Sequence, residues 1–138
     1  MRFMTGKAFI DTNILIYAYS STDMLKKEKS LNILRSENLT MSTQVLNEFV
    51  WVMSRKYLLP IDLLRDVINN ISGIAYISLI TLSTINNAIS LTERYKYSYW
   101  DSLIISSALE TGCDVLYTED LQHNQTIKGI KIINPFKR

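Results

Sequence analysis

Residues 7–19 read KAFIDTNILIYAY: a short apolar run, an abrupt Asp-Thr-Asn, then a second apolar run. The first run, Lys7 to Ile10, has no polar face, as a strand buried on both sides would have none. From Ile14 to about Ser20 the patterning turns helical. Asp11 therefore stands between two segments that both belong in a core, and its purpose depends on what the rest of the chain builds around it.

Working outward, a second helical pattern runs from about Met24 to Ser36, and a second strand, Leu39 to Ser42, leads directly into STQVLNEFVWVMSRKY. Ser42 or Thr43 suits the N-cap of that helix. Pro60 fits the first turn of another helix reaching about Ile71, Gly73 stands where it would end, and Ile74 to Ser78 alternates as a third strand. Two helices follow, Ser83 to about Tyr95 and Tyr99 to Thr111, with Gly112 at the expected C-terminal cap. Val115 to Thr118 reads as strand four and Ile130 to Ile133 as a short closing strand. Strands alternating with helices imply an α/β domain with a mostly parallel sheet of four to five short strands and right-handed crossovers. No linker, repeat or low-complexity tract divides residues 1–138, so a single domain is expected.

Composition narrows the function classes. At 47% hydrophobic and 20% charged residues the chain is ordinary for a soluble domain. The single Cys113 cannot form an internal disulfide, which suits a reducing, cytoplasmic setting. No apolar run approaches the ~20 residues of a membrane helix, and the N-terminus carries no signal-peptide core, so neither a spanning nor a secreted protein is expected. A net charge of +2 permits a nucleic-acid partner without announcing one.

The architecture fixes where chemistry can sit. Open parallel sheets bind ligands beyond the carboxyl ends of their strands. Asp11 lies just past strand one, and Glu119 and Asp120 just past strand four. Glu48 occupies the second turn of the helix leaving strand two. Asp101 stands near the N-terminus of a helix that must finish at the opposite edge to feed strand four. Four acids distant in sequence thus converge on one edge, where their mutual repulsion calls for a neutralising cation. Carboxylates without His or Cys favour a hard ion, Mg²⁺ or Mn²⁺, and such an ion activates water for phosphodiester hydrolysis.

Each acid also has a purely structural account. Asp11, Thr12 and Asn13 are good helix caps, Glu48 could pair with Arg55, Asp101 could answer the helix dipole, and Asp120 could open a turn. Independent caps and turns have no reason to gather at one edge. His123, the only histidine, sits in a polar loop and reads as solvated rather than as a base. Arg94, Lys96 and Trp100, among Tyr95, Tyr97 and Tyr99, are candidates to stack bases and hold phosphates of a nucleic acid, with core and rim packing as the alternative. The basic groups Lys26, Lys27, Lys29 and Lys128, Lys131, Lys137, Arg138 read as solvated faces. Met24 to Ser36 and Leu58 to Ile71 are amphipathic segments able to offer a groove to a partner helix.

With these residues in hand, the chain resembles a PIN-domain ribonuclease, and within that family the toxin of a VapBC-type toxin–antitoxin pair. FIDTNILIYA resembles the family's opening motif, STQVLNEF its second acidic motif, YSYWDSLIISSALETGCDVLYTEDLQ its third and fourth, and IKIINPF its ending. The resemblance covers essentially the whole chain. It implies a three-layer α/β/α fold and a Mg²⁺- or Mn²⁺-dependent endoribonuclease, commonly dimeric and silenced by a cognate antitoxin. It assigns Asp11, Glu48, Asp101 and Asp120 as the metal-binding acids, with Asn13 and Thr118 as supporting polar groups. The chain departs at Gln122 and His123, where some members carry a further acid. Glu119 is an acid near enough to stand in, although strand alternation points its side chain away from that of Asp120.

Two rival classes remain. Aspartyl-phosphate chemistry also uses an acid after strand one, but a receiver would want adjacent acids and a haloacid-dehalogenase-like phosphatase Asp-x-Asp, whereas this chain has Asp11-Thr12-Asn13. A non-catalytic RNA- or protein-binding module on the same scaffold is the other.

Overall fold

The computed structural model describes residues 6–36 and 38–137, so Arg138 of the C-terminal basic group lies outside the described residues. Six strands form one sheet: β1 (Ala8–Ile10), β2 (Leu39–Ser42), β3 (Ala75–Ser78), β4 (Val115–Tyr117), β5 (Thr126–Ile127) and β6 (Ile130–Ile133). Their order is β3-β2-β1-β4-β6-β5, parallel except for β5 against β6. The sheet is thus α/β and mostly parallel as expected, with six strands instead of four to five. The added strand is β5, two residues long. It is joined to β6 by Lys128 and Gly129 at φ 47° and 88°, a two-residue hairpin with left-handed backbone at both positions. Lysine is a weak marker for that conformation, so the turn is nearly silent in sequence.

Among the described residues six helices flank the sheet: α1 (Thr12–Tyr19), α2 (Met24–Leu34), α3 (Thr43–Arg55), α4 (Ile61–Ile74), α5 (Leu82–Tyr95) and α6 (Tyr99–Glu110). Right-handed crossovers put α1 to α4 on one face and α5 with α6 on the other. β1, in the middle, is wholly buried, and Phe9, Ile10, Ile14, Leu15, Val45, Phe49, Ile105 and Leu116 join in one continuous core at 0% exposure.

Helix boundaries shift from expectation by one to three residues, α2 for instance ending at Leu34, and two of the shifts have a visible cause. Helix α1 starts at Thr12, two residues early, because the Asp11 carboxylate accepts from the Thr12 N–H at its very first position. Gly73 does not end α4 but lies inside it; the helix runs on to Ile74 and passes straight into β3 through extended Ala75 (φ −138°), without a left-handed cap. Gly112, at φ +70°, does occupy the left-handed position just after α6.

Register positions the edge. Ile10 pairs with Tyr117, and the Asp11 N–H donates to the Tyr117 carbonyl at 3.0 Å, so Asp11 and Thr118 leave the sheet side by side.

Candidate active site

Asp11 is the deepest of the acids, 6% exposed at the carboxyl end of β1. Thr12 N–H and Thr118 Oγ1 each donate to it at 2.7 Å. Burial nevertheless pushes its pKa up to about 7. The two hydrogen bonds pull against that shift, and the charges of Asp120 and Glu48 add to it. Asp120 is also raised, by burial first and then by Asp101, while its hydrogen bond from Asn13 opposes the rise. Each of the four acids thus acts electrostatically on at least one other.

Supporting groups hold them apart. Asn13 Nδ2 donates to Asp120 Oδ2 at 3.1 Å, and Asn13 Oδ1 accepts from the Glu119 N–H at 3.4 Å. Thr118 Oγ1 donates to Asp11 and accepts from the Asp120 N–H at 3.1 Å, so one hydroxyl ties two acids together. Ser98 caps α6 by accepting from the Asp101 N–H at 3.1 Å, which frees the Asp101 carboxylate from capping. Ser42 does the same at α3, where Glu48 sits half-buried one turn on.

Asp11, Glu48, Asp101 and Asp120 line one cavity of about 230 Å³, together with Thr12, Asn13, Gln44 and Trp100. The convergence expected from topology is therefore present. The Glu48–Arg55 alternative is not: Glu48 accepts from Thr12 Oγ1 at 3.0 Å, and Arg55 lies over the Trp51 ring, 4.4 Å from its centroid. Trp100 borders the cavity, but Arg94 and Lys96 do not. Arg94 lies 5.4 Å from the Tyr95 ring centroid, and Lys96 is the left-handed C-cap of α5. His123 is not simply solvated. Its Nδ1 accepts from the Asn134 N–H at 3.0 Å, pinning the loop after β4 to the end of β6.

Thr12, expected only as a possible cap, and Gln44, not expected at the site, both line this cavity. The only signal for Thr12 was adjacency to Asp11 in a helix's first turn, and for Gln44 its position one turn before Glu48. Lys26 was read as one of a solvated group, yet it forms an ion pair with Glu119 and donates to Tyr17 Oη at 3.2 Å. Tyr17 Oη donates to Glu119 at 2.7 Å. Glu119 and Asp120 thus take different partners, although β4 ends at Tyr117 and both residues lie in bends, where strand alternation no longer sets their directions.

The donor set is all oxygen, with no His or Cys in the cavity, which suits a hard divalent ion. Among the described residues no three acids, histidines or cysteines stand close enough to chelate an ion directly. Four acids around such a cavity fit an ion that one or two of them would ligate directly and the others would reach through its retained waters, the usual habit of Mg²⁺.

The PIN domain family matches the chain over residues 8–128. No curated relative matches by sequence. Among solved structures, a toxin–antitoxin complex from Klebsiella pneumoniae superposes with a TM-score of 0.74 at 21% identity, over 96% of this chain and 100% of that one. VapC20 from Mycobacterium tuberculosis, described as a toxin cleaving the sarcin–ricin loop, gives 0.68 at 18% identity over 83% and 90%. VapBC2 from Rickettsia felis, bound to a promoter DNA fragment, gives 0.64 at 16% over 91% and 96%. At these identities the likeness is one of fold, and the family match supplies the rest: with its acids gathered beyond the carboxyl ends of β1 and β4, the chain belongs to the PIN domain family.

Proposed function

We propose that the protein is a metal-dependent endoribonuclease acting as the toxin of a toxin–antitoxin pair, with Asp11, Glu48, Asp101 and Asp120 as its metal-holding acids. The single observation that carries this reading is the shared cavity of four acids, in which burial and neighbouring charge hold Asp11 near pKa 7 and raise Asp120. A fold does not gather mutually repelling carboxylates without a use for a cation. Mg²⁺ or Mn²⁺ held there would supply water activation and charge neutralisation at a phosphodiester. The chain's own part is positioning. Thr118 orients Asp11 and fixes the Asp120 backbone, Asn13 aims Asp120, and Thr12 aims Glu48.

RNA as the substrate, an antitoxin as partner and a homodimer as the working form extend from PIN-family membership and from structural neighbours that are toxin–antitoxin complexes. A cytoplasmic location is part of the same proposal. Among the described residues no helix is long and apolar enough to cross a membrane. The alternative is a non-catalytic RNA- or protein-binding module on this scaffold.

One experiment separates them: total cellular RNA incubated with the protein in Mg²⁺ or Mn²⁺, in EDTA, and with Asp11→Asn. Discrete fragments that need both the metal and Asp11 are the expected result. Equal inactivity of wild type and Asp11→Asn in every metal, with RNA or partner binding intact, would establish the binding module.

A further inference from the structure

A second cavity, of about 500 Å³, adjoins the acidic one: Gln44, Glu48 and Trp100 line both. Its other walls include Trp51 from α3, Leu103 from α6 and Ile80 from the loop before α5. Trp51 and Trp100 are 60% and 61% exposed, a large outlay of aromatic surface beside a polar site. The Arg55 guanidinium lies against Trp51, so a positive charge stands next to the apolar wall.

Gln44 is the telling residue. It is only 7% exposed, and its Nε2 donates to the Trp100 carbonyl at 3.3 Å, which fixes the amide's orientation. Its Oε1 is buried and accepts no hydrogen bond among the described residues. A buried acceptor without a donor is costly unless a ligand supplies one.

We propose that this second cavity holds one base of the RNA whose backbone the four acids act on. The base stacks against Trp100 and Trp51, and Gln44 Oε1 accepts an N–H from its edge. The proposal rests on the nuclease reading and names the substrate contact that reading lacks. Three features together select a nucleobase. Bases have π-faces for aromatic walls. They carry N–H donors on their edges, whereas an apolar side chain of a protein partner would seal Gln44 Oε1 away with no donor at all. The attached backbone is anionic, matching Arg55 on one side and a cation among the acids on the other.

The test uses short RNA oligomers of A, C and U and an abasic oligomer of equal charge, in EDTA so that none is cut. Tryptophan quenching reports contact, and anisotropy of labelled oligomers reports affinity. Base-bearing oligomers are expected to quench and the abasic one not to. Trp100→Ala should weaken every sequence about tenfold, and Gln44→Leu should shrink the differences between sequences while leaving quenching in place. Both tryptophans are exposed, so Trp51→Ala serves as a second variant, with circular dichroism to verify folding. Equal quenching by the abasic oligomer overturns the proposal, as does unchanged affinity in both tryptophan variants. So does a dimer in sedimentation whose tryptophans acrylamide cannot reach, which would make the cavity an interface between copies. The two readings fail separately. An oligomer that quenches but is never cut with Mg²⁺ or Mn²⁺ leaves the base site and removes the nuclease. Cleavage by Trp100→Ala with wild-type rate and sequence preference leaves the nuclease and removes the base site.

Discussion

Glu119 and Asp120 are adjacent in one loop, and the fold treats them oppositely. Glu119 is neutralised from within the chain: Lys26 pairs with it, Tyr17 donates to it, and the Lys26 ammonium also lies 4.7 Å and 5.3 Å from the Tyr17 and Phe136 ring centroids. Its hydrogen bond, with that of Tyr17, raises the Lys26 pKa. Asp120 has no such cation. It receives an amide hydrogen from Asn13, and its pKa is raised by burial first, then by the charge of Asp101 and, less, by that of Glu119. The carboxylate that ties the loop to Lys26 and Tyr17 has its countercharge within the chain; the one that lines the acidic cavity is aimed by an amide and has no countercharge among the described residues. The chain bends at both residues once β4 has ended, and each carboxylate meets different partners: Lys26 and Tyr17 for Glu119, Asn13 for Asp120.

The contrast breaks most visibly at the level of activity. Asp101→Asn and Asp120→Asn should each lower metal-dependent RNA cleavage by about 100-fold or more, whereas Glu119→Gln should stay within about threefold of wild type. A fluorogenic RNA reporter in Mg²⁺ and in Mn²⁺ measures all three. Loss of activity in Glu119→Gln matching that in Asp120→Asn would erase the distinction.

A second effect needs no substrate. In metal-free protein Asp11 stays protonated up to about pH 7, while in the unfolded chain it ionises near 3.8. The folded state therefore binds the extra proton between those values, so stability falls as pH rises through that window and levels off above it. The interval sets a ceiling of about 4 kcal/mol, and solvent reaching an open cavity brings the expected fall to about 2 kcal/mol. Urea titrations in EDTA from pH 4 to 8 would measure it, and in Asp11→Asn most of the slope should go, leaving the part that the raised Asp120 contributes. Mg²⁺ should restore stability at pH 8 far more than at pH 5, since it competes with the proton.

Thr118 sharpens the comparison because its hydroxyl serves two of the four acids, Asp11 and Asp120, and bonds to neither Glu119 nor Lys26. Thr118→Val removes a donor to Asp11 and an acceptor for the Asp120 N–H. The expected cost is about 1 to 2 kcal/mol. The midpoint of the Asp11-linked stability change should also move to higher pH, because that hydrogen bond is the largest influence holding the pKa down. An unmoved midpoint would mean that burial alone sets it.

Sequence disclosed the acids and hid their surroundings, for identifiable reasons. Asp11, Glu48, Asp101 and Asp120 were legible because strand and helix periodicity fixes which edge each occupies, and β1, β2 and β4 fell where the patterning put them. Gly73 misled because glycine also tolerates a helix interior, and its sign as a terminator requires a left-handed backbone that α4 never adopts. Lys26 misled because a lysine in a polar helix is usually solvated; its partner is 93 residues away, a distance no local pattern spans. Gln44 was silent since an unpaired carbonyl exists only once the core has closed around it.

The smallest effect tests the other half of the comparison. Lys26→Met removes the countercharge of Glu119 but keeps an aliphatic stem against Tyr17 and Phe136. The pair is about 30% and 26% exposed, so its loss should cost about 1 kcal/mol or less. The more telling readout is metal affinity. With Lys26 gone, Glu119 keeps the Tyr17 hydroxyl but loses its countercharge, and negative charge near a cation site strengthens binding. Calorimetry with Mn²⁺ should therefore show affinity equal to or up to a few-fold above wild type, with Lys26→Arg unchanged and Lys26→Met, Glu119→Gln returned to the wild-type value. A drop in affinity in Lys26→Met, rescued by Lys26→Arg, would mean that the clamp positions the neighbouring Asp120 as well, and that the two carboxylates are one unit instead of two.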